Sequence, residues 1–543
     1  MSLKLSLVEF LEEHRGLVVV MFCLPASFVF GLLINFRTYL VQLFSRFSGS
    51  HLDRVRKIQK QVRKWNEIPK ENRKLLCNSR PNWLSLSTTF FKKEECQKIE
   101  IPLFQILEFN EMKRTVTVEP YVTVGQITDY LLKRKFVLAC TLEISDATCG
   151  GLAMGVGMTT HSHKVGLFQE SVVSYGLVLS DGSFIHVEKD NEHSNLYHCL
   201  PWSHGSLGFL VSLELKIISA TDYIKLRYRP VVGMENYCNQ MRIFSGAESS
   251  YNDNIPDFLE ATVFSHDESV IIFGDFIEIK THTKNYYIND ISKWYKPWFY
   301  KHVESFLKKP INADGFSGEE IIPIKDYLFR HNRSIFWVLE AIIPFCNNPL
   351  FRLFFGWMCP PKPAFLKFTT TPGIRAFTFV KQVFQDIVLP MTALEESIEL
   401  SEKLFNIYPI LIYPCKLFFQ NPSRGLLRNP KTIQMTVDSD YGMFYDLGVY
   451  GVPRAIKLKQ KYDPSKAMRS MEKFIRDQGG YSFLYADIFM NKEEFCEMFD
   501  LSNYEKICQK YHADNAFPHL YDKVKPELDV LEVSKNFVLA GNH

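Results

Sequence analysis

No Cys-x-x-Cys pair occurs among the 12 cysteines of this chain, and they fall at no regular interval. That argues against a disulfide-stapled scaffold and for reduced thiols on the cytosolic side. No metal is expected: His161, His163, His193, His198 and His204 cluster in sequence but match no zinc-ligand spacing. Gly-x-Gly-x-x-Gly is missing, because position 160 is Thr, and so is Gly-x-x-x-x-Gly-Lys-[Ser/Thr]. Gly-x-Ser-x-Gly and kinase signatures are also missing. There is no internal repeat and no low-complexity tract. Charge of one sign is lacking too: 63 Lys+Arg face 60 Asp+Glu, a net +3, which argues neither for nucleic acid nor for a strongly anionic partner. The chain ends Ala-Gly-Asn-His, without a retention tetrapeptide. What is plentiful is apolar surface. Hydrophobic residues make up 46% of the 543, with 45 Phe and 25 Tyr, enough for a sizeable core and suited to a large apolar ligand.

Thr148 to Gly157 reads Thr-Cys-Gly-Gly-Leu-Ala-Met-Gly-Val-Gly, four glycines in eight residues. Such a loop lets backbone approach a ligand closely, and its successive N–H groups can form an anion-binding concavity. The alternative is a tight turn or a close-packed helix. Order along the chain favours the cradle. Lys113–Pro120 alternates like a strand, Val124–Leu132 has helical periodicity, and Phe136–Cys140 reads as a second strand. After the glycine loop come another strand with an Asp181-Gly182 turn and the apolar run 205–218.

Gly16 to Phe36 carries no charge across 21 residues between Arg15 and Arg37. That length suits a hydrocarbon core of ~30 Å, and Pro25 is tolerable there. An uncleaved anchor is expected, since a secretory signal has a shorter apolar region and a small-residue cleavage site. Lys4 and Arg15 before the span are offset by Glu9, Glu12 and Glu13; after it come Arg37, Arg46, Arg54, Arg56, Lys57, Lys60, Arg63 and Lys64. This bias places the C-terminal body in the cytosol. Within Arg54–Lys64, Val55, Ile58 and Val62 share one helical face, either lying on anionic lipid or leading into the folded body. A second apolar region, 335–368, is too interrupted by prolines and polar residues to span. It reads as a membrane-surface element or an ordinary helical hairpin. Asn332-Arg333-Ser334 is a formal glycosylation acceptor that a cytosolic body leaves unused.

The series Val118-Glu119-Pro120, Thr148-Cys-Gly-Gly151, Tyr175-Gly176 and Asp181-Gly182 resembles the flavin domain of the vanillyl-alcohol-oxidase (PCMH-type) family, over about 54–220. Arg80-Pro-Asn-Trp-Leu, Tyr295-Lys-Pro-Trp-Phe-Tyr, Arg330-His-Asn-Arg-Ser-Ile-Phe-Trp, Phe355-Gly-Trp-Met, Tyr485-Ala-Asp and Met490-Asn-Lys-Glu-Glu-Phe are similar to its membrane-bound, sterol-reducing branch. The resemblance implies an α+β fold: anchor 1–40 with a transmembrane helix at about 16–36, FAD-binding domain 41–220, and substrate or cap domain 221–543 whose C-terminal part returns to the flavin. It implies FAD, NADPH as electron donor, an endoplasmic reticulum membrane location and reduction of a sterol side-chain double bond. A flavin oxidase of the same fold and a catalytically weak sterol-binding scaffold are the alternatives.

By the same resemblance the cofactor residues are Thr148, Cys149, Gly150, Gly151, Leu152, Ala153, Met154, Gly155, Val156, Gly157, Met158, Thr159, Thr160, His163, Lys164, Gly166 and Gly208. Arg80 is a candidate partner for the pyrophosphate. The tether loop of the broader family reads Leu76-Cys-Asn-Ser-Arg here, with no attachment motif around Cys77, so FAD is expected to be noncovalent. An alkene without a neighbouring carbonyl needs an acid opposite the hydride donor. Tyr485 and Asp487 are the candidates, with His204 as an outsider. Thr89, Val165 and Gly176 depart from the family pattern and bear on rate and substrate choice.

Overall fold

The computed structural model describes residues 15–47, 49–248, 255–279, 287–420 and 425–539. The acidic flank Glu9, Glu12 and Glu13, with Lys4, lies outside them. Gly16–Phe44 is, among the described residues, the one helix long and apolar enough to cross a membrane, 29 residues at a mean hydropathy of 2.7. A wide π-type turn at Val19–Cys23 sits where Pro25 withholds the N–H that the Met21 carbonyl would accept.

The basic run forms the helix His51–Asn66, opened by a Ser50–Asp53 capping box. Val55, Ile58, Val62 and Trp65 are buried against the folded body. Arg54 is buried as well, and its guanidinium donates to Glu119 at 2.5 Å. The apolar stripe therefore covers protein and is not free for lipid. Arg56, Lys57, Lys60, Arg63 and Lys64 stay exposed on the opposite face.

Two short strands, β1 (Leu76–Asn78) and β2 (Gln97–Ile99), pair in parallel. The next six make an antiparallel sheet: β3 (Ile106–Asn110), β4 (Thr115–Val118), β5 (Phe136–Leu138), β6 (Val172–Val178), β7 (Phe184–Glu188) and β8 (Phe209–Ser219). Their order is β3-β4-β8-β6-β7, with β5 also on β8. The remaining strands are β9 (Tyr223–Val232), β10 (Phe258–Ser265), β11 (Glu268–Ile277), β12 (Gly318–Pro323), β13 (Val383–Pro390), β14 (Ile410–Phe418), β15 (Tyr441–Gly451) and β16 (Tyr481–Ser482). They form one antiparallel sheet ordered β12-β9-β11-β10-β14-β15-β13-β16. With the helices between them, this is an α+β fold.

Strands β13 and β15 are buried along nearly their whole length, so they read as continuous apolar runs rather than alternating ones. Register still fixes which side chains share a face. Asp386 pairs with Gly448 and Val388 with Asp446 on β13–β15, while Tyr413 pairs with Asp446 on β14–β15. With a period of two, Asp386, Tyr413, Asp446, Gly448 and Tyr450 all point the same way, toward the first sheet.

Buried polar contacts join the sheets. Arg330 donates bidentately to Glu260 at 3.0 and 3.0 Å and to the Tyr413 hydroxyl at 2.8 Å, and lies 3.6 Å from Glu143. Asn332 exchanges hydrogen bonds with Ser145. The C-terminal stretch folds back onto the first sheet. The Leu76 N–H donates to the Ala516 carbonyl at 2.6 Å, Tyr504 to Ser206 at 2.7 Å, and Phe517 packs edge-on to Phe209.

Candidate active site

A cavity of about 890 Å³ lies between the sheets. One wall is the glycine loop. Thr148 caps the short helix Cys149–Met154, its Oγ1 accepting from the Gly151 N–H at 3.3 Å. The Gly150 N–H donates to the Pro120 carbonyl at 2.9 Å, and a Cβ there would meet Pro120 backbone at 2.9 Å. The Glu119-Pro120 corner and the Gly-Gly pair thus hold each other. Glu119 is pinned from behind by Arg54, His51 and the Gln105 N–H.

Cations gather on this side. Arg80, Lys93, Lys367 and Lys523 all line the cavity, and among the described residues none pairs with a carboxylate. Arg80 donates to Thr148 and the Leu84 carbonyl. Lys93 reaches Asn78 and the Arg80 carbonyl, Lys367 the carbonyls of Ser87 and Thr89, and Lys523 the carbonyl of Gly205. Burial pushes all three lysines down to about 8. His204 has left-handed backbone and a buried Nε2 without a partner among the described residues, and burial lowers it to about 3, so its ring is neutral. Cys77 also lines the cavity, its thiol held down to about 7, first by a hydrogen bond with Cys96 and then by nearby lysines. Several desolvated cations in one patch call for an anion. A glycine cradle beside a positive patch fits the diphosphate of FAD, and Arg80, Lys93 and Lys523 are the side chains that could hold it.

The opposite wall is acidic and phenolic. Asp386 accepts from the Tyr450 hydroxyl on one carboxyl oxygen and from the Tyr485 hydroxyl on the other. Asp446 lines the cavity beside them with a buried oxygen that has no partner among the described residues. Burial raises Asp386 to about 6; burial, then the charges of Asp386 and Glu143, raises Asp446 far above the usual carboxylate range. Tyr485 is pushed well up by burial and by the Asp386 charge, so its hydroxyl keeps its proton. Leu411, Phe384, Phe336 and Phe483 supply apolar surface.

The sequence candidates separate into two groups. Arg80, Thr148, Gly150, Gly151, Leu152, Met154, Gly155, Val156, Gly157, Met158, Gly208, His204, Tyr485 and Asp487 line the cavity. Cys149, Ala153, Thr159, Thr160, His163, Lys164 and Gly166 do not. Thr159 bonds Glu143 of its own domain, and the last four face the second sheet: Thr160 bonds Tyr327, His163 bonds the Pro256 carbonyl, Lys164 pairs with Asp257 at 2.9 Å and Gly166 lies against Phe418. His163 is fully buried and lowered to about 3, so it is neutral. Asp487 has both oxygens taken by Arg375 at 2.7 and 2.8 Å, an anchoring contact. Thr89, Val165 and Gly176 lie outside the lining, and a Cβ at Gly176 would strike Ser212 Oγ, so packing sets that glycine.

Residues 82–188 match the model of an FAD-binding domain family. Delta(24)-sterol reductase of Homo sapiens is 40% identical over 523 residues, covering 96% of this chain and 95% of the relative. The delta(24)-sterol reductase homolog dhcr-24 of Caenorhabditis elegans is 37% identical over 528 residues, 95% and 96% of the two chains. Delta(24)-sterol reductase of Pisum sativum is 32% identical over 537 residues, 95% and 92%. The chain belongs to the delta(24)-sterol reductase family. As in that family's FAD-binding domain, the cofactor is FAD, and the glycine loop falls inside the matched segment. Arg80, Gly208 and Lys523 fall outside it.

Asp386, Asp446, Tyr450, Lys93, Lys367 and Lys523 escaped the sequence reading. A signal existed for the two aspartates: each is a lone carboxylate inside an apolar strand, at Val383–Pro390 and Tyr441–Gly451. A carboxylate is rarely fully buried without a reason. The lysines carry no such mark.

Proposed function

We propose that this chain is an FAD-dependent, NADPH-driven reductase of the side-chain double bond between sterol carbons 24 and 25. The carrying observation is the Tyr485–Asp386–Tyr450 cluster facing the glycine cradle across one apolar cavity. Reduced FAD supplies hydride when bound. The chain's own work is to hold the sterol tail, exclude water and deliver a proton. Protonation at carbon 24 leaves developing charge on the more substituted carbon 25, so an acid is needed on the face opposite the flavin. Tyr485 is the donor in this reading. Its backbone carbonyl accepts from the Thr88 N–H at 2.8 Å, which ties the sheet wall to the flavin domain. Arg80, Lys93 and Lys523 hold the diphosphate without a covalent tether, and the division between flavin and cap domains falls near residue 220.

The anchor supports a membrane location, which we read as the endoplasmic reticulum, and the Lys/Arg bias after the span supports a body on the cytosolic side. The 335–368 region supports a second lipid contact. Its Leu350, Leu353, Phe354 and Trp357 are exposed, and Phe28 of the anchor packs on Trp357 at 5.0 Å and Phe30 on Phe365 and Phe368 at 5.5 and 5.6 Å. Lys362, Pro363 and Leu366 of the same region line the cavity, which gives a sterol a short path from bilayer to site.

The test is anaerobic. Full-length protein in detergent is expected to show flavin absorbance, to bleach with NADPH, and to regain colour on adding a sterol with a 24,25 double bond, yielding a product heavier by two hydrogens. A flavin that ignores NADPH but is reduced by an alcohol and reoxidised by air would replace this reading with the oxidase one.

A further inference from the structure

We propose that Asp386 is the proton store of the reaction, positioned between Tyr450 and Tyr485 to return a proton to Tyr485 after it has protonated the substrate. The inference rests on the reductase reading above. Its basis is geometric. Asp386 is buried on β13, and its two carboxyl oxygens are engaged by two different phenols, both lining the cavity. The site is shaped for this pair. A Cβ at Gly448, the cross-strand partner of Asp386, would lie 2.9 Å from the Tyr450 hydroxyl and 3.2 Å from Asp386 Oδ1. Any other residue at 448 would crowd that hydrogen bond.

The groups that face Asp386 are Tyr450 and Asp446 from β15 and Tyr485 from the segment after β16; Glu143 from the flavin-domain loop acts on Asp446 and Tyr485, with Arg330 and Tyr413 behind it. Among the described residues no cation pairs with Asp386 or Asp446. Arg330, the nearest guanidinium to Glu143, already makes its bidentate pair with Glu260. Carboxyls sharing so little positive charge in a dry site cannot all ionise: Asp446 keeps its proton near neutral pH, and Asp386 holds one up to about pH 6.

The step balances. The alkene π pair forms the new C–H bond at carbon 24 with the Tyr485 proton, and the O–H pair remains on the Tyr485 oxygen. Carbon 25 would be completed by the hydride that bound, reduced FAD would supply. The Tyr485 oxygen then takes the Asp386 proton, and the carboxylate is reprotonated from water through Tyr450. Asp386 never touches the substrate; it is a positioning and relay residue.

The experiment follows sterol-dependent reoxidation of the NADPH-reduced, FAD-loaded full-length enzyme as a function of pH. The wild-type rate is expected to fall as pH rises past about 6, where Asp386 gives up its proton. Asp386→Asn keeps the shape and is expected to lose ~10²-fold in rate and to flatten the profile. Tyr450→Phe removes one donor to the carboxylate, which disfavours the charged form. Its profile should therefore move to higher pH, with Tyr485 still in place. Asp386→Asn with wild-type rate and profile overturns the relay, as does an unmoved Tyr450→Phe profile. If Asp386→Asn loses its flavin or unfolds, the Tyr450→Phe shift decides alone. Failure of the wild type to reduce any sterol would instead remove the reductase reading itself.

Discussion

The glycine-loop wall of the cavity offers a bound molecule close approach to glycine backbone, neutral His204 and buried cations, whereas the sheet wall facing it offers carboxyls and phenols. Each wall is electrostatically incomplete. Among the described residues, Arg80, Lys93, Lys367 and Lys523 pair with no carboxylate, and Asp386 and Asp446 pair with no cation. Under the proposed function this separation divides the work of the site: one side receives the charged cofactor, the other keeps and moves a proton. The walls come from different sheets, and the buried cluster of Arg330, Glu260, Tyr413 and Glu143 joins them, together with the Asn332–Ser145 and Thr88–Tyr485 hydrogen bonds.

The largest effect is expected where the walls are joined. Arg330→Ala leaves Glu260 and Glu143 buried without a cation and should destabilise the fold by ~3–5 kcal/mol, read as a lower denaturation midpoint. Next comes the cationic wall. Lys523→Ala or Arg80→Ala should weaken FAD binding by ~10- to 100-fold in a flavin-fluorescence titration while leaving the fold intact, since each removes a charge-assisted contact. Unchanged FAD affinity in both would separate the cations from the cofactor.

The smallest effect is a control behind the sheet wall. Glu472 is buried outside the cavity, accepts from the Phe489 N–H at 2.6 Å and is raised to about 8 by burial. Its folded value lies above its unfolded one, so its contribution to stability is present below the unfolded value and is lost as pH rises through about 8. Glu472→Gln should therefore make the melting temperature fall less between about pH 6 and about pH 9, with turnover unchanged.

Much of the first wall was legible in the chain because it is made of backbone. Glycines at fixed intervals, a strand ending in Glu119-Pro120 and a helix over Val124–Leu132 are local patterns, and local patterns survive reading in one dimension. The same reading carried Thr159 to Gly166 along with the loop, although the chain turns there toward the second sheet. The stripe on His51–Asn66 was visible too, but whether protein or lipid covered it depended on Glu119, far along the chain. The second wall was mostly hidden. Asp386, Tyr450 and Tyr485 meet only through strand register and a long return of the chain, and no spacing announces that. Tyr485 was found by resemblance; its partner was not.

The most direct test of this division of labour is Tyr485→Phe studied in two half-reactions. The account predicts normal FAD content, NADPH reduction of the flavin at the wild-type rate, and sterol-dependent reoxidation slowed ~10²- to 10⁴-fold. Loss of flavin, or equal slowing of both half-reactions, would contradict it.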